Sequence, residues 1–267
     1  MEHRPSSAAH LHFSPQEERS QTPGTPRSPL VIGHRGAASF APENTLSSVR
    51  HALNDGARAV EVDVHATRDG AVVVHHDATL DRTATAGRTT GAIADLTLAE
   101  VRECLLADGE PVPTLDETLA LMGSAPLADG SAPQLLIEIK ADAAAEPVAR
   151  RVRDTDAAVR VRIISFSVTA LERVRQLAPE LPCTLLADVP SPEVTEAANA
   201  LGIDQVAFSV AGIDPKAFAT EHAAGRTVGI WTVHTYDQVR RALACGVSTL
   251  TADDPAWCQA CVDKLLT

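Results

Sequence analysis

Residues 30–36 read Leu-Val-Ile-Gly-His-Arg-Gly, and residues 71–77 read Ala-Val-Val-Val-His-His-Asp. Each stretch is an apolar run that ends in charged or titratable side chains, a pattern that favours a buried β-strand. Polar groups that follow strands collect at one edge of a sheet, where catalytic sites can be built. His34 and His76 are therefore candidate catalytic residues, and Arg35 is a candidate anion-binding residue beside the first of them.

Two carboxylates lie in another predicted strand, which reads Ala-Val-Glu-Val-Asp-Val at residues 59–64. Alternate residues of a strand share one face, so Glu61 and Asp63 project to the same side. Two like charges are costly to bury unpaired, whereas a hard cation such as Mg²⁺ or Ca²⁺ binds carboxylate oxygens well. A further strand places Glu138 and Lys140 on one face. Glu138 would complete a three-carboxylate metal site, and Lys140 could hold an anion beside it.

Along its length, the chain alternates apolar strand-like runs with amphipathic helical stretches. The predicted strands are residues 30–33, 59–64, 135–139, 162–166, 183–187, 205–208, 227–233 and 249–250. The predicted helices are residues 44–54, 115–122, 147–156, 169–177, 192–201, 215–223, 236–244 and 255–266. Eight such units, with an extra strand at 71–74, predict a TIM (β/α)8 barrel. A doubly wound open sheet would give a similar pattern, but no Gly-x-Gly-x-x-Gly motif follows a strand, and polar candidates follow several different strands.

Two segments stand outside the repeating units. Residues 79–112 are rich in Thr, Gly and Asp and form a predicted small insertion after the second strand, with helical periodicity only at residues 98–106. Thr114 then starts the next helix as the N-cap of a capping box. Residues 1–28 are rich in Pro, Ser, Thr, Gln and Glu, which predicts a disordered tail ahead of a barrel domain at residues 29–267.

The composition narrows the function classes. A net charge of −12 argues against nucleic-acid binding, which depends on a basic surface. The five cysteines are odd in number and scattered, which favours reduced thiols in a cytoplasmic protein. Cys258 and Cys261 are predicted to be small core residues of the last helix. No apolar run reaches the length of a membrane span, so stable membrane insertion is not expected.

In their order and spacing, these residues resemble the signature of the glycerophosphodiester phosphodiesterase family, over about residues 30–257. The matching motifs are His34-Arg35-Gly36, Pro42-Glu43-Asn44-Thr45, Glu61-x-Asp63, His76-Asp77, Pro113-Thr114-Leu115, Glu138-Ile139-Lys140 and Trp231-Thr232-Val233. The resemblance implies a TIM barrel with a small insertion after the second strand. It also implies hydrolysis of a small-molecule glycerophosphodiester to glycerol 3-phosphate and an alcohol, with one divalent cation.

The resemblance assigns a role to each matched position. These roles are metal ligands at Glu61, Asp63 and Glu138, a general acid/base pair at His34 and His76, and phosphate-binding cations at Arg35 and Lys140. Histidine suits proton transfer in both directions because its ordinary pKa lies near neutrality. The nucleophile is either water or the neighbouring glycerol hydroxyl, which would give a cyclic intermediate.

For several residues, two interpretations of their role remain open. Trp231 is either barrel core or a wall against the glycerol of the substrate. Glu43 is either a fourth metal ligand or a structural residue of the turn that starts a helix. His75 adjoins His76 and so faces the other way, which favours a packing role. The family commonly has Asn at the position of His234 and Thr where Ala252 precedes Asp253, and both departures are expected at the substrate-facing rim.

Two alternative functions use the same barrel. One is a phospholipase D-like hydrolase of lysophospholipids, which would need an apolar rim that the 3% aromatic content hardly supplies. The other is a catalytically silent barrel that binds a phosphorylated ligand. That interpretation would be favoured if a site histidine or carboxylate were replaced, and every ionisable position of the motifs is filled.

Overall fold

The computed structural model describes residues 28–107, 109–155 and 159–267. In chain order the strands are β1 (Leu30–Gly33), β2 (Ala59–Ala66), β3 (Val72–Val74), β4 (Ala86–Gly87), β5 (Cys104–Leu105), β6 (Gln134–Ile139), β7 (Arg160–Ser165), β8 (Cys183–Ala187), β9 (Gln205–Ser209), β10 (Thr227–Trp231) and β11 (Thr249–Ala252). The α-helices are α1 (Leu46–Asn54), α2 (Leu98–Val101), α3 (Leu115–Gly123), α4 (Ala145–Asp154), α5 (Val168–Leu177), α6 (Pro192–Leu201), α7 (Pro215–Ala223), α8 (Tyr236–Ala244) and α9 (Pro255–Leu266).

Eight parallel strands of the described residues close into a barrel. The sheet order is β1-β11-β10-β9-β8-β7-β6-β2, and pairing between β1 and β2 closes the ring. One long helix follows each barrel strand, and β2 reaches its helix, α3, only after β3 and the insertion. The prediction of a TIM (β/α)8 barrel is confirmed, and the open doubly wound sheet is excluded because its edge strands would not pair.

The barrel wall separates two apolar layers, and β2 shows how the sequence produces them. Val60, Val62 and Val64 are fully buried in the large core between the strands and the helices. Ala59, on the alternate face, belongs to a smaller cluster inside the barrel. Since side chains alternate along a strand, Glu61 and Asp63 share the inward face with Ala59. The inward face of β2 therefore carries an apolar residue first and two carboxylates closer to the C-terminal end of the strand.

The insertion after the second strand is present and has its own small apolar core. Leu80, Ile93, Val101 and Val112 are among the residues buried in it. The predicted helical periodicity at residues 98–106 is right only as far as Val101. Arg102 and Glu103 form a turn, and Cys104 and Leu105 form β5, which pairs with β4. Cys104 and Leu106 are buried while Leu105 between them is half-buried, so the period there is two residues, as in a strand.

The capping box predicted at Thr114 is present. Thr114 and Glu117 form a capping box at the start of α3, with the Glu117 backbone N–H donating to Thr114 Oγ1 at 3.2 Å. All five cysteines lie in the described residues and are free thiols. Cys258 and Cys261 are buried on α9, as predicted. The predicted tail, apart from Ser28, lies outside the described residues. None of the helices in the described residues is long and apolar enough to span a bilayer.

Candidate active site

A cavity of about 340 Å³ opens at the C-terminal end of the barrel strands. Seven of the eight residues singled out from the sequence line it, namely His34, Arg35, Glu61, His76, Glu138, Lys140 and Trp231. The eighth, Asp63, is almost fully buried beside them. A larger cavity of about 610 Å³ lies at the opposite end of the barrel, around Arg162 and Gln205. The smaller cavity is the candidate active site because the histidines and carboxylates meet there.

Three carboxylates form a cluster because β2 and β6 are neighbours in register. Asp63 pairs directly with Glu138 across the two strands, and Glu61 precedes Asp63 by two residues on the same face. One oxygen from each of the three lies within 4.8 Å of the others. Strand register alone therefore brings together residues that are 75 positions apart in the chain.

The environment of this cluster fits a divalent cation. Burial, and then the charges of Asp63 and Glu138, raise the pKa of Glu61 well above its ordinary value. Burial and the charge of Asp63 likewise raise the pKa of Glu138. Glu61 Oε1 is buried and has no hydrogen-bond partner among the described residues. Three close carboxylates and an unpaired buried oxygen are what a hard, oxygen-binding cation would satisfy.

Two cations contact the cluster from its sides. Lys140 Nζ lies 2.7 Å from Glu138 Oε1 and 3.4 Å from Asp63 Oδ1. Burial tends to lower the pKa of Lys140, but the charges of Asp63 and Glu138 more than offset this and raise it. Arg35 Nε lies 3.2 Å from Asp63 Oδ2 without hydrogen-bond alignment. Both cations are therefore held at the cavity by the same buried carboxylate.

The loop after β1 adopts an unusual backbone to reach the carboxylates. Arg35 and Asn44 both have positive φ, at 51° and 59°. The Arg35 backbone N–H donates to Glu61 Oε2 at 2.9 Å. Asn44 Nδ2 donates to Asp63 Oδ2 at 2.8 Å, and the Asp63 backbone N–H donates back to Asn44 Oδ1 at 3.1 Å. Sequence reasoning missed this role of Asn44, although Asn tolerates the left-handed conformation better than most residues.

Each candidate catalytic histidine is held by an aspartate through the same ring nitrogen. His34 Nδ1 lies 2.6 Å from Asp253 Oδ1, and His76 Nδ1 lies 2.6 Å from Asp77 Oδ1. The hydrogen bond from His34 lowers the pKa of Asp253. Hydrogen bonds, first from Arg82 and then from His76, lower that of Asp77. Both carboxylates are thus ionised acceptors, Nδ1–H donates in each pair, and Nε2 is the ring nitrogen left to exchange a proton.

In the sequence Asp253 is notable only as part of the departing Ala252-Asp253 motif, whereas in the structure it directly follows β11 and contacts His34. Its second oxygen, Oδ2, lies 3.7 Å from Nδ1 of the exposed His234. His234 is exposed and is not among the residues that line the cavity, so its expected place at the substrate-facing rim stays a prediction. The same expectation is wrong for Ala252, which is fully buried in the core between strands and helices. Inward and outward side chains alternate in β11, so Ala252 faces the helices.

His75 does not share the position of His76. Its ring is buried, with Nδ1 2.9 Å from the Asp77 carbonyl oxygen and Nε2 2.7 Å from Thr83 Oγ1. Burial is the main reason why the pKa of His75 is lowered. The packing role expected from strand alternation agrees with this geometry.

The structure also shows the contacts of Glu43 and Trp231, the two residues for which two interpretations were open. Glu43 is bound to Arg35 and Arg82 and is not part of the carboxylate cluster, so its contacts favour the structural interpretation. Trp231 lines the cavity and packs edge-on against Phe166, with ring centroids 5.4 Å apart. It also contacts the inner barrel cluster. Trp231 therefore fits both interpretations, because it packs against the inner barrel cluster and also forms part of the cavity wall.

Comparison with known proteins places the chain in a family. Residues 34–257 match the model of the "Glycerophosphoryl diester phosphodiesterase family". The chain is 32% identical over 253 residues to "Probable glycerophosphodiester phosphodiesterase 1" of Mycobacterium tuberculosis, covering 85% of this chain and 90% of that protein. It is 31% identical over 238 residues to the glycerophosphodiester phosphodiesterase of Caldanaerobacter subterraneus, covering 85% and 94%.

A solved structure is similar over the same span. A phosphodiesterase of Oleispira antarctica, in complex with the product sn-glycerol-3-phosphate, superimposes with a TM-score of 0.81 at 24% identity, covering 88% of this chain and 97% of that one. The structural likeness supports the fold, and the family match and the two relatives cover most of the chain. This protein belongs to the glycerophosphoryl diester phosphodiesterase family.

Proposed function

We propose that this protein hydrolyses glycerophosphodiesters to glycerol 3-phosphate and an alcohol, with a divalent cation and two histidines that transfer protons. The observation that carries the proposal is the convergence of His34, His76 and the carboxylate cluster on one cavity of about 340 Å³. The names of the two relatives describe this activity for those proteins. The product named in the Oleispira antarctica complex is the one that this reaction would release.

The metal would be held by Glu61, Asp63 and Glu138. Mg²⁺ and Ca²⁺ are the candidates because both prefer carboxylate oxygens. When bound, the cation would neutralise phosphate charge and so favour nucleophilic attack on the diester. It would also add positive charge to that of Lys140 and Arg35 beside the three buried carboxylates. Lys140, now shared between Glu138 and Asp63, would then be freer to contact the phosphate.

His34 and His76 would move the protons. The aspartate on each Nδ1 fixes the ring and its tautomer, so Nε2 of each can accept or donate a proton in the cavity. One ring would take the proton of the attacking water or glycerol hydroxyl, and the other would give a proton to the leaving alkoxide. If the glycerol hydroxyl attacks, water would then open the cyclic phosphate to give glycerol 3-phosphate. Two separate His–Asp pairs allow the two transfers to occur at different oxygens of the same phosphate.

Arg35 and Lys140 would bind the phosphate. Arg35 is only 17% exposed, and the acidic groups around it raise its pKa above the ordinary value despite its burial. It is therefore always charged, and its guanidinium can form two parallel hydrogen bonds to a phosphate. Trp231 would pack against the glycerol.

The test is hydrolysis of glycerophosphocholine and glycerophosphoethanolamine after chelation, followed by restoring Mg²⁺ or Ca²⁺. Release of glycerol 3-phosphate only when metal is present is the expected result. Equal turnover with and without metal would remove the cation from the mechanism. No turnover of either substrate with metal bound would contradict the proposed reaction.

Lysophospholipid hydrolysis is a second candidate because of one observation. Phe166 is 45% exposed and lines the cavity beside Trp231, so the apolar wall continues to the protein surface. An acyl chain could lie along that wall while the phosphate enters the site. The same assay with lysophosphatidylcholine decides between the two functions. Faster release of choline from lysophosphatidylcholine than from glycerophosphocholine would favour lysophospholipid hydrolysis.

A cytoplasmic location is also our proposal. It is supported by five cysteines that are all free thiols, four of them buried. A reducing compartment keeps such thiols unpaired.

A further inference from the structure

Arg82, at the start of the insertion, joins two loops of the active site. Its Nε donates to Asp77 Oδ2 at 2.5 Å. Its two terminal nitrogens donate to both oxygens of Glu43, with Nη2 2.6 Å from Oε1 and Nη1 3.1 Å from Oε2. The guanidinium therefore binds Asp77 of the loop after β3 through Nε, and Glu43 of the loop after β1 through its two terminal nitrogens.

Each acidic partner of Arg82 also holds a residue that lines the cavity. Asp77 holds His76 Nδ1 through its other oxygen, Oδ1. Glu43 Oε1 accepts a hydrogen bond from Arg35 Nη1 at 2.9 Å. The result is a continuous chain of contacts from His76 through Asp77, Arg82 and Glu43 to Arg35. We call this chain the arginine clamp.

The electrostatics agree with this geometry. Hydrogen bonds to Glu43 and Asp77 raise the pKa of Arg82. Burial tends to raise the pKa of Glu43, but hydrogen bonding from Arg82 and the charge of Arg35 bring it below its ordinary value. Asp77, Arg82 and Glu43, which link the two loops, are therefore charged at neutral pH. Asp77 accepts hydrogen bonds from His76 and Arg82, and Glu43 accepts them from Arg35 and Arg82.

We infer that Arg82 is a positioning residue that fixes His76 and Arg35 relative to each other. The inference rests on the proposed function, since it concerns the proton and phosphate groups of that reaction. With both oxygens of Asp77 bound, its carboxylate plane is fixed, and so is the imidazole that donates to it. With Glu43 bound at both oxygens, the Arg35 guanidinium is held at the phosphate side of the cavity. Displacing a reacting group by about 1 Å can cost about 10²-fold in rate.

A lysine side chain in place of Arg82 could not make the same contacts. An ammonium is a single point of charge, whereas the clamp needs the Nε edge and the terminal fork of one rigid plane. Arg82 is about half exposed, so its ion pairs contribute little to stability in isolation. The expected effect of its loss is therefore on catalysis more than on folding.

The experiment compares Arg82→Gln and Arg82→Lys with the matched control Arg68→Gln. Arg68 anchors the same insertion to the barrel through its bonds to the Asp95 carbonyl oxygen and to Glu100, and within the described part of the chain its side chain bonds to no active-site residue. We expect Arg82→Gln to lower kcat on glycerophosphocholine by about 10²-fold, with Arg82→Lys restoring only part of it. Arg68→Gln should leave kcat unchanged. Equal kcat values for Arg82→Gln and Arg68→Gln would overturn the inference.

Double-mutant cycles and a measurement without turnover separate positioning from general loosening. If Arg82 acts through Asp77, the combined Arg82→Gln and Asp77→Asn losses will be less than additive. Full additivity would contradict the clamp. By NMR, the hydrogen-bonded Nδ1–H of His76 should be lost or shifted in Arg82→Gln and kept in Arg68→Gln. That signal reports on the clamp even if wild-type protein fails to hydrolyse glycerophosphodiesters, and an unchanged signal would overturn the inference.

Discussion

At the scale of single residues, the site consists of groups that depend on a neighbour. Each of the two candidate catalytic histidines is hydrogen-bonded to an aspartate, and each buried carboxylate contacts a cation or an amide N–H. The acidic partners come from four different loops or strands. Asp253, Asp77, Asp63 and Glu43 supply these contacts. Removing one member therefore changes the chemistry of its partner as well.

The first prediction concerns the histidines. His34→Ala or His76→Ala should lower turnover of glycerophosphocholine by about 10²–10⁴-fold, the range for losing a general acid or base. His75→Gln is the control, because His75 adjoins the site but its ring bonds to the Asp77 carbonyl and Thr83. Steady-state kinetics would remove His34 or His76 from the mechanism if its variant kept near wild-type turnover.

The second prediction concerns Glu61 and pH. Because its pKa is raised in the folded protein, the folded state holds a proton that the unfolded state loses from about pH 4.3 upward. The metal-free protein should therefore lose stability as the pH rises from about 4.3 to the raised pKa. Metal ions need the deprotonated form, so their stabilising effect should grow over the same interval.

Thermal denaturation in chelator, with and without added Ca²⁺, measures both effects of Glu61. Glu61→Gln removes the titrating group and keeps the size of the side chain, so its melting temperature in chelator should fall less with pH than that of the wild type. It should also respond less to Ca²⁺. Identical pH profiles for the variant and the wild type would contradict the assignment of Glu61.

At the scale of elements, the turn after β1 depends on Gly36. Its φ is +89°, and a Cβ there would lie 2.5 Å from the backbone carbonyl carbon of Ser48. Gly36→Ala should cost about 2–4 kcal/mol, from the left-handed conformation and the clash together. Gly70→Ala is the control, because Gly70 has φ +82° but no described atom within 4 Å of the added Cβ.

Chemical denaturation of Gly36→Ala and Gly70→Ala separates these two contributions. Gly70→Ala should cost about 1 kcal/mol, from the backbone conformation alone. The difference between the two variants is the cost of the clash with α1, whose first turn carries Ser48. Equal free energies of unfolding would show that the turn after β1 moves away without penalty.

The elements were also what the sequence predicted best. Periodicity and apolar runs located every barrel strand because both faces of a parallel sheet are covered, so each strand is a continuous apolar run. Three carboxylates could be predicted as one cluster from strand alternation and the family motifs. The short segment at residues 98–106 was predicted poorly, since four helical residues and a two-residue strand carry too little pattern.

Contacts between distant loops were not predictable in the same way. Nothing in the sequence states that Asp253 meets His34, because the two lie on opposite ends of the chain and meet through barrel closure. Arg82 was equally hidden, since it lies in a segment without regular periodicity. The positive φ of Arg35 and Asn44 follows from their bonds to Glu61 and Asp63, which exist only in the folded barrel.

At the scale of the whole molecule, we propose that residues 29–267 are sufficient for catalysis. The first barrel hydrogen bond is from the Leu30 backbone N–H to the Ser248 carbonyl oxygen, at 2.9 Å. Removing residues 1–27 should therefore leave kcat and the melting temperature within error of the full chain. Kinetics and calorimetry on the shortened protein check this, and a loss of either would give the first 27 residues a role in the barrel.

The position of β1 between β2 and β11 has a consequence for biosynthesis. His34 and Asp253 are separated by 219 residues, and the ring cannot close until β11 is available to pair with β1. Early in translation, the first strand has only one of its two partners. Contacts of such long sequence separation form late and slowly. A ribosome-bound chain that lacks residues 249–267 would therefore carry both histidines and all three clustered carboxylates, but not Asp253, which holds His34. We expect such a chain to be inactive, so that activity would report the synthesis of β11 and α9.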